Sequence, residues 1–147
     1  MYDILNTPKY FLKKYNNVLH LRLEDFVTHN LYIKVDRIIN LLNKNILTDN
    51  TLCIVFKKIS NEFENKYINT ICTFLKKKNI NIVFESNDVI TDYYIMKESK
   101  LLICSNSTLS WCAAFFSEKN QICYFPDYNI KGMNSTCKSP VINTILY

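Results

Sequence analysis

Arg22 is one of two arginines in a chain whose other 16 basic residues are lysines. A guanidinium fork can bind two oxygens of one anion at once, which suits phosphate better than a point charge. The alternative is a surface ion pair with Glu24 or Asp25, and spacing leaves both readings open. His20 stands two residues earlier, on the same face if the segment is a strand. It is either a ligand donor or a core histidine, and spacing favours the core. A richer segment is Ser105-Asn106-Ser107-Thr108-Leu109-Ser110, with four hydroxyls and an amide. If it opens a helix, unpaired N–H groups and partial positive charge add to those hydroxyls and attract phosphate. The plain alternative is an over-furnished N-cap. Ser86-Asn87-Asp88 reads first as a turn with an N-cap, although a carboxylate there can also accept from a nucleobase N–H edge.

The elements that must position these residues alternate along the chain. Val18–Leu23 alternates strictly and predicts a strand. Asn30 is a plausible cap for a helix over Leu31–Asn43, with Ile33, Ile38, Leu41 and Leu42 as its stripe. Leu52–Lys57 predicts a second strand. Ser60 or Asn61 then caps a helix running to Lys77, with cations at its end where the dipole favours them. Ile80–Phe84 is a third strand, and a shorter helix follows over Val89–Glu98, with Asp92 as a first-turn acid. Leu101–Cys104 is a fourth strand, fully apolar as in parallel sheets. The helix after it, Thr108–Glu118, is apolar nearly all round and is expected to be buried, with Trp111 in the core. Ile122–Phe125 is a fifth strand.

Five strands alternating with four helices predict an α/β, Rossmann-like parallel sheet of about five strands with flanking helices. The expected organisation is a lead-in (1–16), one nucleotide-binding domain (17–126) and a tail without clear period (127–147). Ligands of such domains sit at the carboxyl ends of the strands. His20, Arg22, Asp25, Asp88 and Ser105–Ser110 all fall there.

Composition narrows the function further. At 147 residues the chain is long enough for one domain with a sizeable core. Its single glycine, Gly132, excludes a G-x-G-x-x-G fingerprint and a Walker A loop. Any phosphate site must therefore use helix N-termini, hydroxyls and a cation. The six cysteines form no C-x-x-C pair, and neither His20 nor His29 has metal-type spacing with them, so no metal site is expected. Cysteines inside apolar runs read as free thiols of a reducing, cytoplasmic compartment. No signal peptide or membrane span is visible, so membrane association is expected only through a partner. A net charge of +5, without a basic stripe or RNA-binding motif, argues against nucleic acid.

Two segments together resemble a known family. Leu19-His20-Leu21-Arg22-Leu23-Glu24-Asp25-Phe26 resembles the H-x-R-x-G-D-F/Y motif of GT-B fucosyltransferases, especially the α-1,2-fucosyltransferases. Asp92…Met96, then Ser105-Asn106-Ser107-Thr108-Leu109-Ser110-Trp111-Cys112-Ala113-Ala114, resembles that family's D-x-x-x-M…S-N-S-T-F-S-W-W-A-A segment. Phe84–Asp88 is similar to the family's strand end between the two. The resemblance covers roughly residues 17–126.

What the resemblance implies is transfer of L-fucose from GDP-fucose to a glycan acceptor, without a metal. The chain would be the donor-binding, C-terminal half of a GT-B fold. Arg22 would hold the pyrophosphate and His20 would help frame the donor site. Asp88 would sit near the guanine. Ser105, Asn106, Ser107 and Thr108 would lie near the phosphates or shape their loop. Arg22 and the helix N-terminus would stabilise charge developing on the leaving GDP. Asp25 is the candidate base for the acceptor hydroxyl, or else a surface acid or loop cap. Glu24 departs from the family's Gly and must point away from an anionic donor. Leu109 and Cys112 replace Phe and Trp. The 16 residues before the first strand are too few for an acceptor-binding domain, so the chain is expected to be a truncated gene product, a fragment, or a half that needs a partner. The alternatives are a non-catalytic nucleotide-sugar-binding module and a protein-interaction domain.

Overall fold

The computed structural model describes residues 13–117, 120–127 and 144–147. Their elements are β1 (Asn17–His20), α1 (Glu24–Thr28), α2 (Val35–Leu42), β2 (Thr51–Val55) and α3 (Glu62–Lys77). Next come β3 (Asn81–Glu85), α4 (Val89–Lys97), β4 (Leu101–Ile103), α5 (Thr108–Phe115), β5 (Ile122–Phe125) and β6 (Thr144–Leu146). The strands form one sheet in the order β3-β2-β1-β4-β5-β6. Every pairing is parallel. The fold is α/β and Rossmann-like, with six strands rather than five. No helix of the described residues is long and apolar enough to cross a membrane.

Period-two alternation sends successive side chains to opposite faces of the sheet. Leu19, Ile54 and Ile103 meet α2 and α3 on one face. Val18, Cys53, Leu102 and Cys123 meet α4 and α5 on the other. The apolar stripe expected on α2 is buried: Ile38, Leu41 and Leu42 all pack inward. The described cysteines are free thiols. Cys104 and Cys123 stand with their Sγ atoms 3.6 Å apart in the second core. Cys137 lies outside the described residues.

Several boundaries differ from the sequence reading. β1 ends at His20 instead of Leu23, so Arg22 stands on the turn after the strand and not on its face. The strand pattern persists because Leu21 and Leu23 are buried and Leu21 N–H still bonds Val55 O at 2.9 Å. β2 stops at Val55 and β4 at Ile103, short of the predicted ends, whereas β3 extends to Glu85. Asn30 does not cap a helix: its φ of 55° places it in a left-handed turn, and α2 begins four residues later behind Lys34. Asn45 and Asn79 also take positive φ, at 54° and 56°. In a chain with one glycine, asparagine does the work usually given to glycine at such positions.

Burial of α5 also departs from expectation. Only Ser110, Ala113 and Ala114 of this helix are buried. Trp111 is half-buried and stacks on Phe115, their ring centroids 5.2 Å apart; Phe115 and Phe116 are half exposed. An eight-residue helix against one sheet face and one neighbour, α4, covers only the side that carries its small residues. The tail shows no clear period in sequence, and Thr144–Leu146 adds a parallel strand beside β5. Arg37 of α2 holds it, donating to the backbone oxygens of Asp127 (3.2 Å) and Tyr147.

Candidate functional site

The sheet order reverses direction between β1 and β4. From β1 the chain builds outward to β2 and β3, then returns to β4 and builds the other way. A crevice outside the carboxyl ends of two such strands is where open α/β sheets bind ligands. The turn after β1 carries Arg22, and the loop after β4 carries Ser105–Ser107.

These two loops are joined by one buried hydrogen bond. His20 Nδ1 and Ser105 Oγ lie 2.8 Å apart, and both residues are more than nine-tenths buried. Burial, and next the positive charge of Arg22, push the imidazole pKa from 6.5 down to about 4. His20 is therefore neutral at physiological pH. It is both the core histidine that spacing favoured and a member of the site edge.

The rest of the Ser105–Ser110 segment organises itself. Asn106 Nδ2 donates to Leu31 O at 2.9 Å, tying the loop to the segment that precedes α2. Ser107 is the N-cap of α5, accepting from Leu109 N–H. Ser110 Oγ is within 3.3 Å of Ser105 O and 3.1 Å of Ser107 O. Thr108, at the first position of α5, is the exposed hydroxyl of the group. Three hydroxyls thus fix the loop, and the first-turn backbone of α5 is presented at the edge beside His20.

Arg22 forms the ion pair that was the alternative to phosphate binding. Its Nη2 lies 3.0 Å from Asp25 Oδ1, and its guanidinium sits 5.3 Å from the Phe26 ring centroid. Both members of the pair are partly exposed, so a dianion can compete for the arginine. Asp25 lies in the first turn of the five-residue helix α1. Glu24 adopts φ 33°, a conformation that carries a Cβ penalty in any residue except glycine. Its carboxylate reaches Lys57, Oε2 to Nζ 3.4 Å, on the loop after β2.

Asp88 is not at this crevice. It caps α4, accepting from Ile90 N–H, Thr91 N–H and Thr91 Oγ. The Thr91 hydroxyl, then its N–H, lower the carboxyl pKa. β3, which leads to it, lies two strands from β1, roughly 10 Å away at ~4.8 Å per strand. The sheet order therefore brings His20, Arg22, Asp25, Ser105, Asn106, Ser107 and Thr108 to one edge and leaves Asp88 farther out.

Matched against family models, curated proteins and solved structures, the chain finds no counterpart. The site is therefore read from its own geometry.

Glu64 was not singled out in the sequence, and Glu85 was placed at a strand end without a role. Glu64 is 2% exposed. It accepts from Ser60 N–H (2.7 Å), Ser60 Oγ (2.9 Å) and Glu24 N–H (3.1 Å). It thus clamps the strained turn after β1 to the start of α3. Asn61-x-x-Glu64 has the spacing of a capping box, which was the available signal. Glu85, at the end of β3, accepts from Tyr15 Oη, Lys13 Nζ (3.2 Å) and Asn87 Nδ2 (3.0 Å). Burial alone would raise its pKa, and these three donors together lower it. Asp92 is no ordinary exposed first-turn acid: burial raises its pKa, against hydrogen bonds from Asn87. Tyr147 donates to Cys104 O at 2.6 Å, beside Ser105, and nothing in the tail's sequence signalled it.

Recesses of about 620 and 650 Å³ lie over α3, one beside α2 and the other at the β3 edge. Neither is lined by a residue of the β1–β4 crevice.

Proposed function

We propose that this chain binds a nucleoside diphosphate sugar at the β1–β4 crevice, as the donor-binding domain of a fucosyltransferase-like glycosyltransferase. The observation that carries the reading is the His20–Ser105 bond across the point where strand order reverses, with Arg22 on one flank and the N-terminus of α5 on the other. The arrangement provides a guanidinium and helix N–H groups without needing glycine. The motif resemblance names the sugar nucleotide as GDP-fucose. The positive φ at Glu24 supports it, because the resembled motif has glycine at that position.

On this reading Arg22 and α5 hold the pyrophosphate and stabilise the charge left on GDP as the sugar departs. Asp25 would take the acceptor proton once the donor has drawn Arg22 away from it. The second reading is a binding module without turnover. The Arg22–Asp25 pair favours it, because the ion pair occupies the one carboxylate proposed as base.

Calorimetric titration of the chain with GDP-fucose, GDP and UDP, beside Arg22→Ala, tests the proposal. Guanine-selective binding that disappears in the variant is expected. No binding by a folded wild-type chain would overturn it. Binding without transfer to a galactoside would select the second reading.

A further inference from the structure

β3 forms one edge of the sheet. Its backbone bonds show which groups face outward. Asn81 N–H donates to Asn50 O at 2.7 Å, and Glu85 O accepts from Phe56 N–H at 3.1 Å. The N–H and C=O of one strand residue point the same way, and the direction alternates from residue to residue. Asn81, Val83 and Glu85 therefore bond toward β2, while Ile82 and Phe84 direct their N–H and C=O groups away from the sheet. Edge strands are usually blunted by a lysine, a proline or a bulge. Asn81–Glu85 has neither lysine nor proline, and its register with β2 is unbroken. Its one charge, Glu85, is turned inward to Lys13 and Tyr15.

Beside this edge, on the α3 face, lies the recess of about 650 Å³. Phe56, Ile59, Ile80, Ile82 and Phe84 line it, and Phe84 is 49% exposed. The exposed ring stands edge-to-face against Phe56, centroids 5.7 Å apart, which holds it in place. An apolar recess next to outward backbone groups is what an added strand needs. The edge supplies main-chain bonds, and the recess takes alternate side chains.

Charge decides the occupant. Lys76 lines the recess at one end, with exposed Lys77 and Lys78 after it. Lys58 stands exposed at the other end, between Phe56 and Ile59. The other charges nearby are committed: Lys57 to Glu24, Glu85 to Lys13, and Asp88 to the cap of α4. A second copy would bring its own lysines to the same edge. Parallel pairing sets Lys76–Lys78 against themselves, and antiparallel pairing sets them against Lys58. Like charges so placed oppose self-pairing, whereas acidic residues at both ends of an added segment answer them.

We infer that the β3 edge docks an extended segment of a partner protein, with apolar residues at alternate positions and acidic residues at its ends, which joins the sheet as a further strand. The site lies two strands away from β1 and does not depend on the function proposed above.

The probe is a fluorescent synthetic peptide of Val-Thr repeats between pairs of aspartates. It is titrated into the full chain and read by anisotropy and by NMR amide exchange. Saturable binding is expected. The peptide should slow exchange at the Ile82 and Phe84 amides, while Val83, already bonded to β2, changes little. Phe84→Lys alters an exposed side chain, so the chain should fold, and affinity should fall about tenfold or more. Lys58→Glu with Lys76→Glu should reverse the preference, so that a lysine-flanked peptide binds better than the aspartate-flanked one. No saturable binding by the wild-type chain overturns the inference, as do Ile82 and Phe84 amides that still exchange fast at saturation. Equal binding of the two peptides by the wild-type chain also overturns it. So does a dimer in sedimentation equilibrium that Phe84→Lys dissolves, because the edge would then belong to a second copy.

Discussion

Lowering the pH tests the burial of His20 directly. The ring titrates at about 4 in the folded chain and at 6.5 when exposed. The sign follows from proton counting. Above pH 6.5 both states are neutral there, and the group adds nothing to the pH dependence. Between 6.5 and 4 the unfolded chain binds a proton that the folded chain refuses, so stability falls as pH falls. At about 1.4 kcal/mol per pH unit, the loss is about 2 kcal/mol by pH 5 and about 3 kcal/mol near pH 4. Below that it levels off, because both states are then protonated. The assay is urea unfolding at pH 7, 6, 5 and 4 for wild type and His20→Asn. The difference between the two proteins removes every other titrating group they share. With a urea slope of about 2 kcal/mol/M, the wild-type midpoint should fall by about 1.5 M more than the variant's. Two pH profiles parallel to within about 0.5 kcal/mol would refute the reasoning, since they would mean that His20 takes up its proton in the native chain.

Three further outcomes follow from the same region. Asp25→Asn frees the Arg22 guanidinium and should tighten GDP about threefold by calorimetry, while abolishing transfer if the chain is catalytic. Glu24→Gly removes the Cβ penalty of a φ of 33° at the expense of one exposed ion pair, and should raise the urea unfolding free energy by about 1 kcal/mol. Glu64→Ala leaves the Ser60 and Glu24 N–H groups without their buried acceptor; a loss of about 3 kcal/mol in the same assay is expected.

What was legible in the sequence is what local chemistry decides. α3 and α4 begin where Asn61 and Asp88 stand because a side-chain oxygen satisfies the first free N–H groups on the spot. The central strands announce themselves as β-branched, apolar runs of the right length. The start of α2 was not legible, since an asparagine at an N-cap and one in a left-handed turn are the same letter. β6 is three residues long, too short for any period, and becomes a strand only because β5 offers it an edge. The site was legible as a set of strand ends but not as a map. That His20 and Ser105 meet while Asp88 lies two strands away depends on strand order, which no local pattern encodes. The parts played by Glu85 and Asp92 were not legible for a related reason: they lie in groups brought to them from Tyr15, Lys13 and Asn87.

The place of β1 in the sheet also has a consequence during synthesis. Val18 pairs with Cys53 on one side and with Leu102 on the other. As a chain leaves the ribosome, β1, β2 and β3 can assemble with α2 and α3 long before β4 exists. Until Leu101–Ile103 emerges, the far side of β1 is an open edge whose free N–H and C=O groups invite any passing strand. The crevice thus closes only after the β1–β2–β3 half is made, and before β5 and β6 are added. A chain halted before β4 lacks not only the Ser105 loop but also the strand that keeps β1 from pairing with other chains, and is expected to aggregate.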